Sequence, residues 1–374
     1  MDKTRVLYIT AGDYFDNHHR KLISVIRNLD KSKYDFSIVC SENYLFMEYL
    51  KPFDIPVYAL NLPSRISSKY SHLLHKLQIG ENFNVVHSFD YVSGIYSRLL
   101  KKFNPGIKCI HSPDSLISVE HKSLFTKQLV KTTMQYYSLF TDLLICENVY
   151  EKRIALKNKY AFEDKIVVIP PAVNIPKFAN LKKNYDLKKL LGFDKDSFII
   201  GNVSGFDEDN NQQLIIRCAY YLVKKYPQMR FLFIGSGKKL GSMQGLVKES
   251  RLDNFCFFIE EKENIQDYYS IMDIFILADK FGGAASVLLE AMASRLPVIC
   301  SNTAEYLPFS KNNLSLTSFD PNDMDDLFDN IDYLYQHIEE RETHAQNAMI
   351  ESTQYDDSEV IPKIVSTYSG VVES

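Results

Sequence analysis

Short apolar, β-branched runs recur through the first half of the chain, at Val6–Thr10, Phe36–Cys40, Val57–Leu60, Val85–His87, Cys109–His111 and Leu143–Cys146. Stretches of helical periodicity lie between them, at Arg20–Leu29, Lys69–Leu77, Ser93–Lys102 and Leu124–Phe140. Strands separated by helices predict a parallel sheet covered on both faces, because a parallel crossover needs a helix's worth of chain. KIVVIPP, Lys165–Pro171, closes this pattern with two prolines, and a loose polar stretch follows at Lys177–Asp186. The alternation then restarts. Strands are expected at Phe198–Val203, Phe231–Ile234, Cys256–Ile259, Ile274–Leu277 and Pro297–Cys300, and helices at Gln212–Lys225, Leu240–Ser250, Ile265–Ile271, Ser286–Ser294 and Met324–His344. The pattern predicts an α/β chain with two Rossmann-like, doubly wound domains, 1–178 and 179–345, facing each other across a cleft. A helical C-terminal segment, 346–374, follows, and its packing place is left open.

Composition narrows the class. The sequence has no run of eighteen apolar residues, so no membrane span is expected, and MDKTRVLYIT enters a strand without the apolar core of a signal peptide. The six cysteines lack a CxxC spacing and lie in or beside apolar runs. They read as buried thiols of a cytoplasmic protein, not as a disulfide or zinc framework. Residues 1–178 carry 24 Lys+Arg against 17 Asp+Glu, a balance of +7, and the remainder 19 against 30, or −11; the two sum to the net −4. A basic first half points to an anionic partner, such as the inner face of a membrane or a phosphorylated acceptor, with an ordinary solvated lysine surface as the alternative. No nucleic-acid partner is expected.

The stretch with most chemistry is Asp279–Cys300, DKFGGAASVLLEAMASRLPVIC. A strand, the Gly282-Gly283 turn, an Ala-rich helix and a second strand follow one another. The helix N-terminus would present the N–H groups of Ala284–Val287 and the hydroxyl of Ser286, an arrangement suited to an anion. Close helix–strand packing without a ligand is the plainer alternative. Glu290 is the one carboxylate of that helix. An exposed helix carboxylate without a ligand is its plainer reading.

These signals, in this order, resemble the family 4 retaining glycosyltransferases of GT-B fold. The likeness is carried by KIVVIPPAVNIPKF (Lys165–Phe178), FIIGNVSGFDEDNNQQLIIRC (Phe198–Cys218), FLFIGSG (Phe231–Gly237) and, most specifically, LLEAMASRLPVI within Ile271–Ser301. The resemblance implies an enzyme that moves a sugar from a nucleotide-sugar donor to a glycan, lipid-linked or protein acceptor, with retention, in cell-surface glycan synthesis. The first domain would bind acceptor and the second donor. The resemblance gives Glu290 the donor ribose, and Gly283, Ala284, Ser286 and Val287 the donor phosphates. Gly12 falls in the loop after the first strand, where the family's glycines approach the diphosphate. His111 falls at a strand end where the family places a histidine against the donor sugar.

Three family positions differ. The first signature glutamate, which helps hold the donor sugar, is replaced by Gly282, and nearby Asp279 is the substitute expected. The Arg and Lys of the diphosphate clamp are replaced by Gly205 and Asn210. Donors left for the phosphate are the N–H groups at Ala284–Val287, the hydroxyl of Ser286, the backbone near Gly201–Gly205, and His18, His19 and Arg20 from the first domain. Loss of two cations suits a donor with one phosphate, such as a cytidine-monophosphate-linked acidic sugar, as well as a diphosphate donor. The same departures would also be found in a non-catalytic relative acting as a binding protein. No metal or other cofactor is expected, because no Asp-x-Asp pair sits in a strand-end loop; Asp207-Glu208-Asp209, where the clamp would be, reads as a solvated loop.

Overall fold

The computed structural model describes residues 3–11, 15, 17–42, 44–63, 66–113, 115–260, 264–310 and 315–373. They form two units, Met1–Ala172 with Asp357–Ser374, and Val173–Asp356. In the first, strands β1 (Thr4–Ile9), β2 (Tyr34–Cys40), β3 (Val57–Ala59), β4 (Val85–Ser88), β5 (Lys108–His111), β6 (Leu143–Cys146) and β7 (Ile166–Val168) make one parallel sheet. Its order is β3-β2-β1-β4-β5-β6-β7. The helices of this part are α1 (Asn17–Arg27), α2 (Tyr44–Leu50), α3 (Ser68–Glu81), α4 (Tyr91–Phe103), α5 (Leu116–Glu120), α6 (Leu124–Tyr137) and α7 (Val149–Asn158). Consecutive residues of β1 feed opposite faces, as a pleated strand requires. Val6 and Tyr8 pack in one core with Phe36 and Ile38, while Leu7 and Ile9 pack in another with Val39 and Val86.

The second unit carries α8 (Ile175–Phe178), α9 (Tyr185–Leu190), β8 (Phe198–Val203), α10 (Gln212–Lys225), β9 (Met229–Ile234), α11 (Leu240–Glu249), β10 (Cys256–Ile259), α12 (Ile265–Tyr269), β11 (Ile274–Leu277), α13 (Ala285–Ala293), β12 (Val298–Ser301), β13 (Thr317–Phe319), α14 (Met324–Gln336) and α15 (Ile338–Ser352). Its six parallel strands run β10-β9-β8-β11-β12-β13, the doubly wound order of dinucleotide-binding folds, with the reversal between β8 and β11. Both units are therefore Rossmann-like. One helix expected over Met324–His344 is two. His337 leaves helical geometry (φ −108°, ψ 82°), and the Arg341 guanidinium donates to the carbonyls of Leu334 and Tyr335 at 3.0 and 3.2 Å. Those carbonyls end α14 without helical partners, so the arginine satisfies groups that the break exposes.

The division between units falls at Ala172–Val173, ahead of the 178 expected from sequence, and the C-terminal segment is split. Val173 N–H already donates to Tyr355 of the second unit, at 2.9 Å, so the chain has joined that unit before the polar stretch begins. Residues up to Asp356 stay with the second unit, whereas α16 (Asp357–Glu373) belongs to the first. There Val360, Ile361, Tyr368 and Val371 are buried in the core of β1 and β2. The Tyr368 hydroxyl lies 2.8 Å from that of Tyr8 and 3.0 Å from His87 Nδ1, and Tyr34 meets Ser369 at 2.7 Å. His87 Nε2 faces the Ser112 hydroxyl at 2.8 Å, and burial lowers its pKa to about 3, so the ring is neutral inside the fold. All six cysteines are buried and free. Among the described residues no helix is long and apolar enough to cross a membrane.

Tyr368→Phe removes a hydroxyl shared by two buried polar groups and should cost about 1–3 kcal/mol. Urea denaturation read by circular dichroism checks it; a midpoint equal to that of the wild type would show that α16 does not depend on this contact.

Candidate active site

The reversal between β8 and β11 leaves a crevice at the carboxyl ends of these strands, Val203 and Leu277, where doubly wound sheets hold their ligands. Helix α13 starts just beyond it. Every one of its residues, Ala285 to Ala293, is buried, which explains why its sequence is apolar all round. Its N-cap residue, Ala284, has no side chain able to cap the first turn, so the helix supplies no N-cap acceptor of its own. Ser286 lies in that first turn, 4% exposed, and among the described residues its hydroxyl has no hydrogen-bond partner. Buried hydroxyls are nearly always bonded, and this one is free to bond a ligand as far as the described residues go. Glu290 follows four residues on, on the same helix face. It is 8% exposed, and the Tyr269 hydroxyl donates to its Oε2 at 3.0 Å. Tyr269 is itself held edge-on by Phe178 at 5.6 Å. A hydroxyl in the first turn and an oriented carboxylate one turn further on thus share one face of this helix.

The turn after β8 is closed on itself. The Asp207 carboxylate accepts from the N–H groups of Asp209 and Asn210 at 2.9 and 3.1 Å, and the Asn210 amide donates to the Gly205 carbonyl at 2.6 Å. Gln212 donates to Ser204 Oγ and to the same carbonyl at 2.8 and 2.7 Å. Asp207-Glu208-Asp209 is thus a turn with Asp207 and Glu208 exposed, as expected of a solvated loop, and tied by its own hydrogen bonds. A Cβ on Gly205 would meet only ordinary contacts, the nearest at 3.5 Å, so space does not demand glycine there. The Lys280 N–H donates to the Asp209 carbonyl at 2.8 Å. That bond sets the one cationic residue between β11 and α13 beside the turn that lacks the Arg and Lys.

The loops after β11 and β12 meet. Asp279 is fully buried, and its Oδ2 accepts from the Tyr306 hydroxyl. Burial raises the Asp279 carboxyl to about 7, partly offset by the Tyr306 bond. Gly282 has φ +91°, a left-handed conformation that glycine adopts without strain. A Cβ there would lie 2.8 Å from both Cβ and Cδ of Glu305, and nearer still to Oε2. The place where a side chain at 282 would start is filled by the Glu305 carboxylate. A cavity of about 350 Å³ adjoins these loops, lined by Asn302, Thr303, Tyr306, Ser310, Thr317 and His344. Among the described residues no group of three or more His, Cys, Asp or Glu could hold a metal ion.

The first-unit candidates are dispersed. Gly12 lies outside the described residues. His111 is fully buried under α4: a Cβ on Gly94 would approach its ring to within 2.8 Å of Nδ1, and Ser88 Oγ lies 3.0 Å from Nδ1. Burial, then the charge of Arg98, push its pKa well below the usual range. Neither His111 nor Asp279 has exposed surface with which to touch a sugar, because each is enclosed by its own domain's packing. His19 is likewise enclosed, stacked near Phe15 at 5.7 Å and edge-on to Phe46 at 4.4 Å. His18 and Arg20 are half-buried, with the Arg20 guanidinium 5.2 Å from the Phe15 ring. Lys21 forms an ion pair with Glu147. Asp90 caps α4 and also accepts from Ala11 N–H at 2.8 Å, joining the loops after β1 and β4 at this sheet's own reversal.

Known proteins share this arrangement. The sequence profile described as Glycosyltransferase Family 4 matches residues 20–176, and that described as Glycosyl transferases group 1 matches residues 185–350. Between them they take in nearly all of both sheets. The chain belongs to the family 4-like glycosyltransferases. Among curated relatives it is similar to the UDP-Gal:alpha-D-GlcNAc-diphosphoundecaprenol alpha-1,3-galactosyltransferase of Escherichia coli, 24% identical over 86% of each chain. It is also similar to the N-acetylgalactosamine-N,N'-diacetylbacillosaminyl-diphospho-undecaprenol 4-alpha-N-acetylgalactosaminyltransferase of Campylobacter jejuni, 23% identical over 69% of this chain and 67% of the other. Anabaena HepE, solved with UDP and glucose, shares the fold with a TM-score of 0.84 over 98% of this chain and 99% of its own, at 16% identity. The transferase thus has the GT-B class of fold expected from LLEAMASRLPVI and its neighbours. Tyr269, Lys280, Glu305 and Tyr306 were not legible as site residues, since nothing in their local spacing marks them.

Asp279 titrates at about 7 in the fold against about 3.9 in an unfolded chain. The folded state therefore holds more protons between these values, and the stability Asp279 contributes is complete below about 4 and lost as pH rises through 7. Asp279→Asn keeps an acceptor for Tyr306 and removes the titration. Melting temperatures taken from pH 5 to pH 8 should rise for the variant relative to the wild type; a constant difference across that range would remove the shifted carboxyl.

Proposed function

We propose that this glycosyltransferase transfers a hexosyl group from a uridine-diphosphate sugar to a lipid-linked, diphosphate-bearing saccharide, with retention at the anomeric carbon. The observation that carries the reading is the face of α13, where the unpartnered Ser286 hydroxyl of a first turn without a side-chain N-cap lies one turn from the Tyr269-oriented Glu290. Glu290 accepts the two ribose hydroxyls, and the N-terminal N–H groups and Ser286 take the phosphates. Charge grows on the diphosphate as the glycosidic bond breaks, and fixed N–H dipoles in a site closed to water stabilise it without reorganising. Lys280, tied beside the turn at Asp209, supplies the cation that residues 205 and 210 do not. The names of the relatives support a uridine-diphosphate donor over a monophosphate one, and a polyprenyl diphosphate as the acceptor's anchor. No cofactor is required beyond the two substrates.

Nucleotide binding is tested by thermal stabilisation, since a ligand selective for the folded state raises stability by mass action. UDP should raise the melting temperature, with CMP and GDP weaker, and Glu290→Ala should abolish the shift. Selective stabilisation by CMP would restore the single-phosphate donor. No shift from any nucleotide would leave only a non-catalytic role.

The acceptor reading has a physical support in the first unit. Helix α6 exposes Leu124 (87%), Phe125 (80%) and Leu129 (55%), with Lys122, Lys127 and Lys131 beside them in sequence. Apolar side chains among lysines suit the interface of an anionic lipid surface. Sedimentation with vesicles containing an anionic lipid should retain the wild type at low salt, less so at high salt, and should lose most of a Leu124→Ser/Phe125→Ser variant. Equal binding by both would take α6 out of the contact.

A further inference from the structure

The cavity of about 350 Å³ in the second unit lies between the loop after β12, the edge strand β13 and α15, and none of the groups assigned to the donor lines it. That volume falls in the range of small-molecule sites, roughly 300–1,000 Å³. Asn302 and Ser318 of its lining are exposed, so it opens to solvent. Thr303 in its wall is 8% exposed, and among the described residues its hydroxyl has no hydrogen-bond partner. Buried hydroxyls are rarely left so. His344 reaches the cavity from α15. Its Nδ1 meets the Thr317 hydroxyl at 3.3 Å, which leaves the other ring nitrogen without a bond among the described residues. The lining has one character throughout. Its Ser and Thr hydroxyls, the Asn302 amide and the His344 imidazole each donate and accept, and Leu307 and Leu316 add apolar surface. Among the described lining residues there is no Lys, Arg, Asp or Glu. Burial lowers the His344 pKa, so its ring is uncharged at neutral pH as well. An ion brought here would lose water without meeting a counter-charge.

We propose that this cavity is a binding site for a neutral saccharide unit, whose hydroxyls pair with Thr303, Asn302 and His344 and whose C–H face lies against Leu307 and Leu316. A pyranose ring combines several hydroxyls with apolar C–H edges and carries no charge, the same mixture that the lining presents. The site is separate from the one on α13 and does not depend on which nucleotide the donor carries. The two are joined through one residue: Tyr306 lines the cavity and donates its hydroxyl to Asp279, in the loop that leads into α13.

The test is saturation-transfer NMR on the full chain with glucose, galactose, N-acetylglucosamine and N-acetylgalactosamine, each with UDP in excess so that the α13 site is held constant. At least one of these sugars should bind the wild type, and glucuronate or galacturonate, the same rings with a carboxylate, should bind roughly tenfold more weakly. Thr303→Val keeps the shape and removes the hydroxyl. It should weaken the bound sugar roughly three- to tenfold, with UDP affinity changing by less than about twofold. Ser310→Phe, which fills the cavity from a half-buried position, should abolish sugar binding and carries the comparison if the valine variant does not fold. Methyl glycosides of the same sugars, run in parallel, separate a unit of a glycan, which binds with its anomeric oxygen substituted, from a free sugar, which binds only with it bare. No signal from any of the sugars, equal binding of sugar and uronate, sugar binding unchanged in both variants, or equal loss of sugar and UDP overturns the site and leaves a water-filled cavity.

Discussion

The complete burial of α13 is the constraint on which the second domain's chemistry depends. A helix with no solvent-facing side has no freedom to roll or slide, because each of its side chains is already fitted to the sheet or to neighbouring helices. Its N-terminus is therefore fixed at the carboxyl end of β11, and Ser286 and Glu290 are fixed relative to one another by the helical repeat. Tyr269 completes the arrangement from a separate helix by setting the direction of the Glu290 carboxylate. The apolar run around Glu290 makes the position precise, and the charge itself is tolerated because it sits where the helix surface meets the crevice.

Around this fixed helix, charge is distributed differently from the family's usual pattern. Positions 205 and 210 hold no cation, and the turn that contains them is closed by its own Asp207 and Asn210. Position 282 holds no carboxylate, and the neighbouring loop fills its place with Glu305. Lys280 stands beside the first gap and Glu305 within the second. Both reach these places because adjacent parallel strands deliver their loops to the same end of the sheet. A site built from loop ends can exchange a side chain between neighbouring loops without altering the strands beneath.

The first domain is held in another way. Its sheet is closed by α16, the last helix of the chain, through the Tyr8–Tyr368–His87 contacts and the apolar residues around them. Its strand-end polar groups are largely used internally: Asp90 caps α4 and ties two loops, His87 meets Ser112, and His111 is packed against Gly94. Polar residues at strand ends thus serve the architecture in this domain.

Alternating apolar runs and helical segments determined two parallel, doubly wound domains, because burial on both sheet faces forces continuous apolar strands and helical crossovers. Local spacing also determined the α13 segment, with Glu290 as its single carboxylate, and through LLEAMASRLPVI the family. Other features depended on contacts between residues far apart in sequence, which no local period records. The return of α16 to the first domain joins residues some 360 positions apart, Tyr8 and Tyr368. The enclosure of His111 and Asp279 came from Gly94 and Tyr306, and changed two expected sugar contacts into packed groups. The meaning of Gly282 was decided the same way: by sequence it is a missing glutamate, and in space it is the vacancy that Glu305 requires.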